Sequence, residues 1–236
     1  MCLHQSHRKL RAHSLEGVTD MRISTAVLRR SEFAEQRWAN GLGVTREIAV
    51  DRTPDAAHHA QNAAPFRWRL SMADLAAPGG PFSMLHGIDR SLTLLEGTGV
   101  TLAVDGAAPV ALEINSPFAF PGDVKTDCNV GSATGRDLNA MWDRSRCTAS
   151  VNVVTAPTAV DFPVESAVAF AVALADEASL AISGNDSGAD CIPTLLAKED
   201  AMRMDVDSVG KDAAGSATRS LQVLSGTVYV AFFCAE

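Results

Sequence analysis

The chain has 236 residues, with 20 Lys plus Arg against 28 Asp plus Glu, and a formal net charge of −8. Its positive residues are scattered, so it lacks the basic surface that nucleic acid requires, and we expect no nucleic-acid partner. Hydrophobic residues make up 47% of the chain. No apolar run reaches the roughly 18 residues that a membrane helix needs, so we also expect no contact with a membrane.

Residues 1–20 hold three of the six histidines and no apolar core of a signal peptide. We predict a disordered extension there, and no secretory signal. The five cysteines are odd in number, widely spaced and without a C-x-x-C pair. This pattern is typical of reduced thiols, so it predicts a cytoplasmic protein.

From residue 23 onward, short alternating or apolar runs separated by Gly, Pro, Asp and Asn predict an all-β chain. The predicted strands are 23–29, 44–50, 66–73, 91–95, 100–104, 109–114, 118–120, 137–143, 149–154, 167–174, 179–183, 194–197, 201–205, 220–224 and 227–233. Ser31 is placed to cap one short helix that extends toward Trp38. Loops are predicted at 51–64, 184–190 and 206–218.

A weak internal repeat relates residues 94–106 to residues 172–184, and each copy reads as a hairpin. In this alignment the acidic turn at 121–123 corresponds to the one at 198–200. A rival register sets 92–98 against 221–227. Duplication of this kind predicts two stacked jelly-roll or β-sandwich units, which we assign to residues 21–148 and 149–236.

Candidate binding residues begin in the segment 38–47. Asn40 lies beside Gly41, and Gly43 opens a strand that carries Thr45, Arg46 and Glu47. Glycines allow backbone N–H groups to approach a ligand closely. The competing interpretation is a simple turn before an edge strand, with Arg46 and Glu47 as a solvated pair.

The segment 66–72 alternates, with Phe66, Trp68, Leu70 and Met72 on one face and Arg67, Arg69 and Ser71 on the other. If the apolar face packs between sheets, the basic face points to solvent or into the mouth of a barrel. Alternatively, Phe66 and Trp68 point outward and Arg69 is buried inside the barrel, where it needs an anionic partner or ligand. The sequence leaves both arrangements open.

Three further short segments contribute polar residues: Ser83, then Asp89 with Arg90, and finally Asp137 with Asn139. Asp89 and Arg90 fit a structural salt bridge equally well, and Asp137 and Asn139 fit a role in holding turns. A small polar ligand is the sharper alternative.

The sequence provides no set of metal ligands or cofactor motif, and we assign no catalytic residue. A cupin metal centre needs about three histidines, but only His86 lies in a segment predicted to be ordered. His58 and His59 are adjacent in a loop. There is no G-x-S-x-G elbow and no P-loop.

Taken together and in order, the motifs resemble the HutD/Ves family over roughly Ile23 to Trp142. The matching positions are Trp38, Asn40, Gly41, Gly43, Thr45, Glu47, Trp68, Arg69, Ser71, Gly80, Pro81, Phe82, Ser83, Gly87, Ile88, Asp89, Arg90, Leu94, Leu95, Glu96, Gly97, Phe120, Gly122, Asp123, Asp137, Leu138 and Asn139.

The resemblance implies a bicupin fold without metal ligands and a part in histidine utilisation, where HutD is thought to sense or buffer N-formylglutamate. We therefore expect a non-catalytic regulator that binds this acidic metabolite, with Arg69 as the clamp. Supporting contacts are expected from Asn40, Thr45, Arg46, Glu47, Ser71, Ser83, Asp89, Arg90 and Asn139.

Two other functions stay open. The first is a metal-independent cupin enzyme acting on a small amide or carboxylate, with Glu47, Asp89 or His86 as general base. The second is a protein-interaction module. A homodimer is compatible with all three.

Overall fold

The computed structural model describes residues 21–38, 41, 43–52, 66–131, 134–163, 165–183, 192–208 and 219–235. These ranges contain nineteen β-strands and one 3-10 turn, Arg30–Glu32. The strands of the first part are β1 Met21–Leu28, β2 Ala34–Arg37, β3 Gly43–Asp51, β4 Trp68–Ala76, β5 Gly79–Pro81, β6 Ile88–Glu96, β7 Thr101–Val104, β8 Val110–Ala111, β9 Pro117–Pro121, β10 Thr126–Asn129 and β11 Thr134–Asp143. The second part contains β12 Cys147–Thr155, β13 Thr158–Asp161, β14 Ser166–Ala173, β15 Glu177–Ser183, β16 Thr194–Ala197, β17 Ala201–Ser208, β18 Ser220–Ser225 and β19 Thr227–Ala235.

The all-β prediction is confirmed, and every predicted strand has a counterpart. The predicted helix after Ser31 is wrong. Only the single 3-10 turn forms there, because the residues that follow pair as β2 with β3, setting Glu35 opposite Arg46. No helix in the described ranges is long and apolar enough to cross a membrane. The predicted extension 1–20 and most of the three predicted loops lie outside the described residues.

The strands form two jelly-roll halves, each made of a large and a small antiparallel sheet. The first half combines the order β2-β3-β4-β11-β6-β9 with β5-β10-β7-β8. The second combines β1-β17-β14-β19-β12 with β13-β18-β15-β16. Each half encloses an apolar core between its own two sheets, so the architecture is the expected bicupin.

The two halves repeat the same topology, because β6 to β11 and β14 to β19 occupy equivalent sheet positions. The strand order matches the hairpin at 94–106 with the hairpin at 172–184 and excludes the rival register. Within this hairpin Leu94 corresponds to Ala173, one residue away from the predicted alignment. The predicted equivalence of the turns is wrong. The counterpart of Glu199 (φ 68°) is Asn115 (φ 60°), and their N–H groups donate to the carbonyls of Ala173 and Leu94 at 2.8 Å in both cases.

The first strand crosses from one half to the other. β1 precedes the first half in sequence but pairs along its whole length with β17, from Met21 opposite Ser208 to Leu28 opposite Ala201. Arg29 then forms an ion pair with Asp200 at 2.7 Å. The segmentation predicted from sequence placed this strand with residues 21–148, whereas its hydrogen bonds lie in the sheet of the second half.

The large sheets of the two halves pack face to face through a shared apolar core. Trp68 of β4 stacks on Phe233 of β19, with ring centroids 5.0 Å apart, and lies 5.4 Å from Phe170 of β14. Leu70 and Met72 extend the same cluster. Because aromatic side chains bury large apolar areas, this contact joins the halves into one cooperative unit.

We expect Phe170→Ala to lower the free energy of unfolding by about 3 to 5 kcal/mol, because it leaves a cavity at the shared core. Chemical denaturation followed by tryptophan fluorescence measures the loss, and a single transition is expected because both halves lose the same contact. The control Leu195→Ala removes an exposed side chain and should change stability by less than about 0.5 kcal/mol. Two separated transitions in the wild-type protein would contradict the shared-core interpretation.

Candidate functional site

The polar residues of the first half converge on one face of its large sheet. On β4, Trp68, Leu70 and Met72 belong to the shared core between the halves, so alternation turns Arg69 and Ser71 toward the interior of the first barrel. This decides between the two arrangements that the sequence left open: the apolar face packs between sheets, and the basic face lies in the barrel mouth. Phe66 precedes the strand and departs from the alternation, since it packs with Ile88 and Met141 instead.

Neighbouring strands add to the same face. β6 contributes Arg90, β11 contributes Asp137 and Asn139, and β3 contributes Thr45. Together they border a cavity of about 430 Å³. Its lining consists of Gln36, Arg37, Trp38, Thr45, Phe66, Arg69, Ser71, Ala73, Pro81, Phe82, Ser83, Leu85, Arg90, Asp137, Asn139 and Met141.

Arg90 is the most deeply placed cation of this lining, with 5% of its surface exposed. Its Nη2 donates to the carbonyl of Ser83 at 2.6 Å, and its guanidinium lies 5.6 Å and 6.0 Å from the ring centroids of Phe82 and Phe120. Within the described part of the chain, its Nε–H group makes no hydrogen bond. Burial lowers the pKa of Arg90 to about 10, although the nearby Asp137 charge favours the cation.

Asp137 is the buried acid of the cavity, with 1% of its surface exposed. Burial raises its pKa to about 7, against the opposing influence of the Arg90 charge. Its Oδ1 atom has no hydrogen-bond partner among the described residues, and neither does Oδ1 of Asn139. Unpaired buried polar atoms carry a desolvation cost of about 1 to 3 kcal/mol each, so these groups make the cavity a candidate ligand site.

Arg69 lines the cavity but is partly committed to a protein partner. Its Nε lies 3.0 Å from Oε2 of Glu47 on the adjacent strand β3. Glu47 also forms an ion pair with Arg52 at 3.0 Å. Glu47 therefore holds Arg69 in position and does not itself belong to the lining.

Thr45, Ser71, Ser83 and Asn139 lie in the lining, together with Arg69 and Arg90. Three other predicted residues do not lie there. Arg46 contacts Asp74 at 2.5 Å and Glu35 at 2.7 Å, Asp89 is held by Arg144 at 2.6 Å, and Glu47 has the partners given above. Asn40 lies outside the described residues.

Sequence reasoning considered Asp137 either for a turn or for a small polar ligand, but it did not name Asp137 among the expected ligand contacts. It also missed the aromatic walls formed by Phe66 and Phe82. A signal for Asp137 was available: it precedes Asn139 by two residues in a strand, so both side chains face the same side. Its burial depends on packing between sheets, which the local sequence does not reveal.

Trp38 forms a wall between this cavity and a second one of about 460 Å³, since its side chain lines both. The indole Nε1 donates to Oγ1 of Thr45 at 2.8 Å. A Cβ atom on Gly43 would lie 2.8 Å from the indole ring and 2.7 Å from the Asp74 carbonyl oxygen. Gly43 is thus required by the packing of Trp38, and not by close approach to a ligand.

The second cavity is bordered by an ion-pair network. Arg136 contacts Asp74 at 2.7 Å and Glu199 of the second half at 2.6 Å. Lys198 reaches Glu96 at 3.1 Å. The Arg136 and Arg46 guanidinium groups oppose burial and hold the pKa of Asp74 below its ordinary value. Because these charges satisfy one another, the network joins the halves and does not indicate a ligand.

The described residues contain no group of three His, Cys, Asp or Glu side chains that could hold a metal ion. His86 is exposed in the turn before β6. His58 and His59 lie outside the described residues.

The fold and cavity define a bicupin with a polar cavity in its first half. A family model described as HutD matches residues 30–224. Because this match covers more than half of the chain, the protein belongs to the HutD family, and the resemblance seen in the sequence motifs is confirmed.

Individual relatives agree with this assignment. Protein Ves of Citrobacter koseri is 41% identical over 118 residues, which cover 49% of this chain and 56% of Ves. An uncharacterised 21.2 kDa protein in the hutC 3′ region of Pseudomonas putida is 34% identical over 120 residues, covering 51% of this chain and 59% of that protein. The chain thus matches less than two thirds of the length of either relative.

HutD from Pseudomonas fluorescens SBW25 has the same fold, with a TM-score of 0.67 and 23% identity over 90% of this chain and 100% of that chain. The family model and the relative from the hutC region both carry the hut designation.

The raised pKa of Asp137 makes folding pH-dependent. The folded protein keeps a proton that the unfolded chain, with an ordinary pKa of 3.8, releases between about pH 4 and the folded pKa of about 7. The contribution of this proton to the free energy of unfolding is therefore complete below pH 4 and declines as the pH rises toward 7. We expect the free energy of unfolding to fall by up to about 4 kcal/mol across this window.

Asp137→Asn should remove this decline, as measured by urea denaturation at pH 4.5 and pH 7.5. The control Asp89→Asn alters an exposed ion pair and should leave the decline in place. A decline of equal size in wild-type protein and Asp137→Asn would show that Asp137 is not its source.

Proposed function

We propose that the protein is a non-catalytic, cytoplasmic regulator of histidine utilisation that binds a small acidic metabolite, with N-formylglutamate as the candidate. One observation carries the proposal. Arg90 is buried on the cavity wall, and no carboxylate of the described residues lies within ion-pair distance of it.

A buried guanidinium without a close anion is costly, because burial disfavours the charged form and Asp137 offsets this only in part. An anionic ligand would supply the missing partner. The planar fork of arginine suits a carboxylate, and each charge-assisted hydrogen bond contributes about 1.5 to 3 kcal/mol.

Arg69 provides a second cation on β4, which β11 separates from the β6 strand of Arg90, and two cations suit a dicarboxylate. Its ion pair with Glu47 reduces the charge it can offer, so we assign the principal anchor to Arg90 and a supporting role to Arg69. This reverses the roles expected from the sequence, which made Arg69 the clamp.

The rest of the lining suits a small, partly apolar metabolite. Hydroxyl and amide groups come from Thr45, Ser71, Ser83 and Asn139, and the apolar walls come from Phe66, Phe82, Leu85 and Met141. The volume of about 430 Å³ is in the usual range of ligand sites. After the entropic cost of binding, a Kd of the order of micromolar is expected.

Calorimetric titration with N-formylglutamate, glutamate and urocanate tests the proposal. We expect N-formylglutamate to bind, and Arg90→Gln to weaken binding about 10- to 100-fold because a charge-assisted bond is lost. The matched control Arg203→Gln changes an arginine of β17 that pairs with Asp205 and should bind like the wild-type protein. No heat with any of the three compounds at millimolar concentration would end the proposal.

A metal-independent enzyme is the second candidate, and one observation favours it. A buried carboxyl group in a cavity with a pKa of about 7 is suited to general acid–base chemistry at neutral pH. Asp137 also replaces the general bases considered from sequence, since Glu47 and Asp89 form ion pairs with arginines. Formate release from N-formylglutamate that disappears in Asp137→Asn would support an enzyme, and no release would argue against this candidate.

A further inference from the structure

Four buried side-chain atoms of cavity-lining residues have no hydrogen-bond partner among the described residues. Two are donors, the Nε–H groups of Arg69 and Arg90, although Nε of Arg69 lies 3.0 Å from its ion-pair partner Glu47. The other two are acceptors, the Oδ1 atoms of Asp137 and Asn139. A plain carboxylate has only acceptors, so it can satisfy the arginines but neither of the two Oδ1 atoms. The two unpaired oxygens therefore indicate that the ligand carries a hydrogen-bond donor as well as a negative charge.

The strand register determines how far apart Arg90, Asn139 and Asp137 lie along the sheet. In the pairing of β6 with β11, Arg90 lies opposite Met141, and Asn139 and Asp137 come two and four residues earlier on β11. A strand advances about 3.4 Å per residue, so Asn139 is about 7 Å along the strand from the level of Arg90. This spacing fits a carboxylate and a neighbouring N–H group of one small molecule, because both side chains reach toward the ligand.

Resting on the proposed anion-binding function, we infer that Asp137 and Asn139 are specificity-determining residues that require the ligand to present an N–H donor beside its carboxylate. The class selected in this way is an N-acyl amino acid, and a dicarboxylate without nitrogen is excluded. Its amide N–H donates to Asp137 or Asn139, its carboxylate accepts from Arg90, and its methylene groups contact the apolar walls.

The selection has a clear physical basis. A ligand without the N–H group displaces water from Asp137 and Asn139 and leaves their oxygens unpaired, which costs affinity. A free ammonium group could also donate, but it would have to lose its hydration beside the two cations Arg69 and Arg90, which a neutral amide avoids.

The test compares two compounds that differ in one group. N-formylglutamate and its ester analogue 2-formyloxyglutarate are titrated into the full chain, the ester having oxygen in place of N–H. We expect the wild-type protein to bind the amide at least about tenfold more tightly, since one buried hydrogen bond is lost and an acceptor is left unpaired.

Variants then locate the effect. In Asp137→Ala the preference for the amide should fall below about threefold, because the acceptor is gone while Arg90 still holds the carboxylate. Asn139→Ala provides a second variant should Asp137→Ala fail to fold, and Arg203→Gln should keep the wild-type preference.

The outcomes separate this inference from the proposed function. Equal affinity of the wild-type protein for the amide and the ester would overturn the inference and leave anion binding standing. A full preference retained in both alanine variants would also overturn it. Binding of neither compound would overturn the proposed function, and the inference with it.

Discussion

Burial of the first half's large sheet on both of its faces is the constraint on which the molecule depends. One face presents Trp68 and Leu70 to the second half, and the other presents Arg69 and Ser71 to the barrel. Because strand alternation couples the two faces, a shift of one residue in β4 would place the arginine in the apolar core. The packing that joins the halves therefore also fixes which side chains reach the cavity.

The duplicated topology makes the second half an internal comparison for the first. The equivalence of Asn115 with Glu199, and the strand registers that follow from it, set Ala169 at the position of Arg90, Val228 at that of Asp137 and Val230 at that of Asn139. All three belong to the apolar core of the second half. The barrel of the second half therefore has apolar side chains at these positions, which contribute to stability. The barrel of the first half has charged and hydrogen-bonding side chains at the equivalent positions. Unsatisfied polar atoms at positions that could have been apolar are expected where function competes with stability.

Local patterns predicted most of the fold, because the strands are bounded by turn residues and their apolar residues alternate. The four strands that were missed are short, and β10 is largely polar, with Thr126, Asp127 and Asn129. Such a strand forms because neighbours on both sides supply its hydrogen bonds, and that information is absent from its own residues. The crossing of β1 into the second half likewise depends on contacts about 180 residues away in sequence.

The same difference between local patterns and long-range contacts explains why only some of the site residues were predicted correctly. Alternation within 66–72 placed Arg69 and Ser71 on one face, whereas Arg46 and Asp89 could not be excluded, since their partners Asp74 and Arg144 are distant in sequence.

Glycine at 122 shows how a sequence motif can act on a site without touching the ligand. A Cβ atom there would lie 3.1 Å from Nε of Arg90 and 2.9 Å from the carbonyl oxygen of Ile88. The backbone of the turn after β9 thus packs directly on the arginine side chain, as Gly43 allows Trp38 to pack on β3. Both glycines let a cavity-lining side chain lie against bare backbone, so they position the wall of the site, and the chemistry of binding is left to Arg90 and its neighbours.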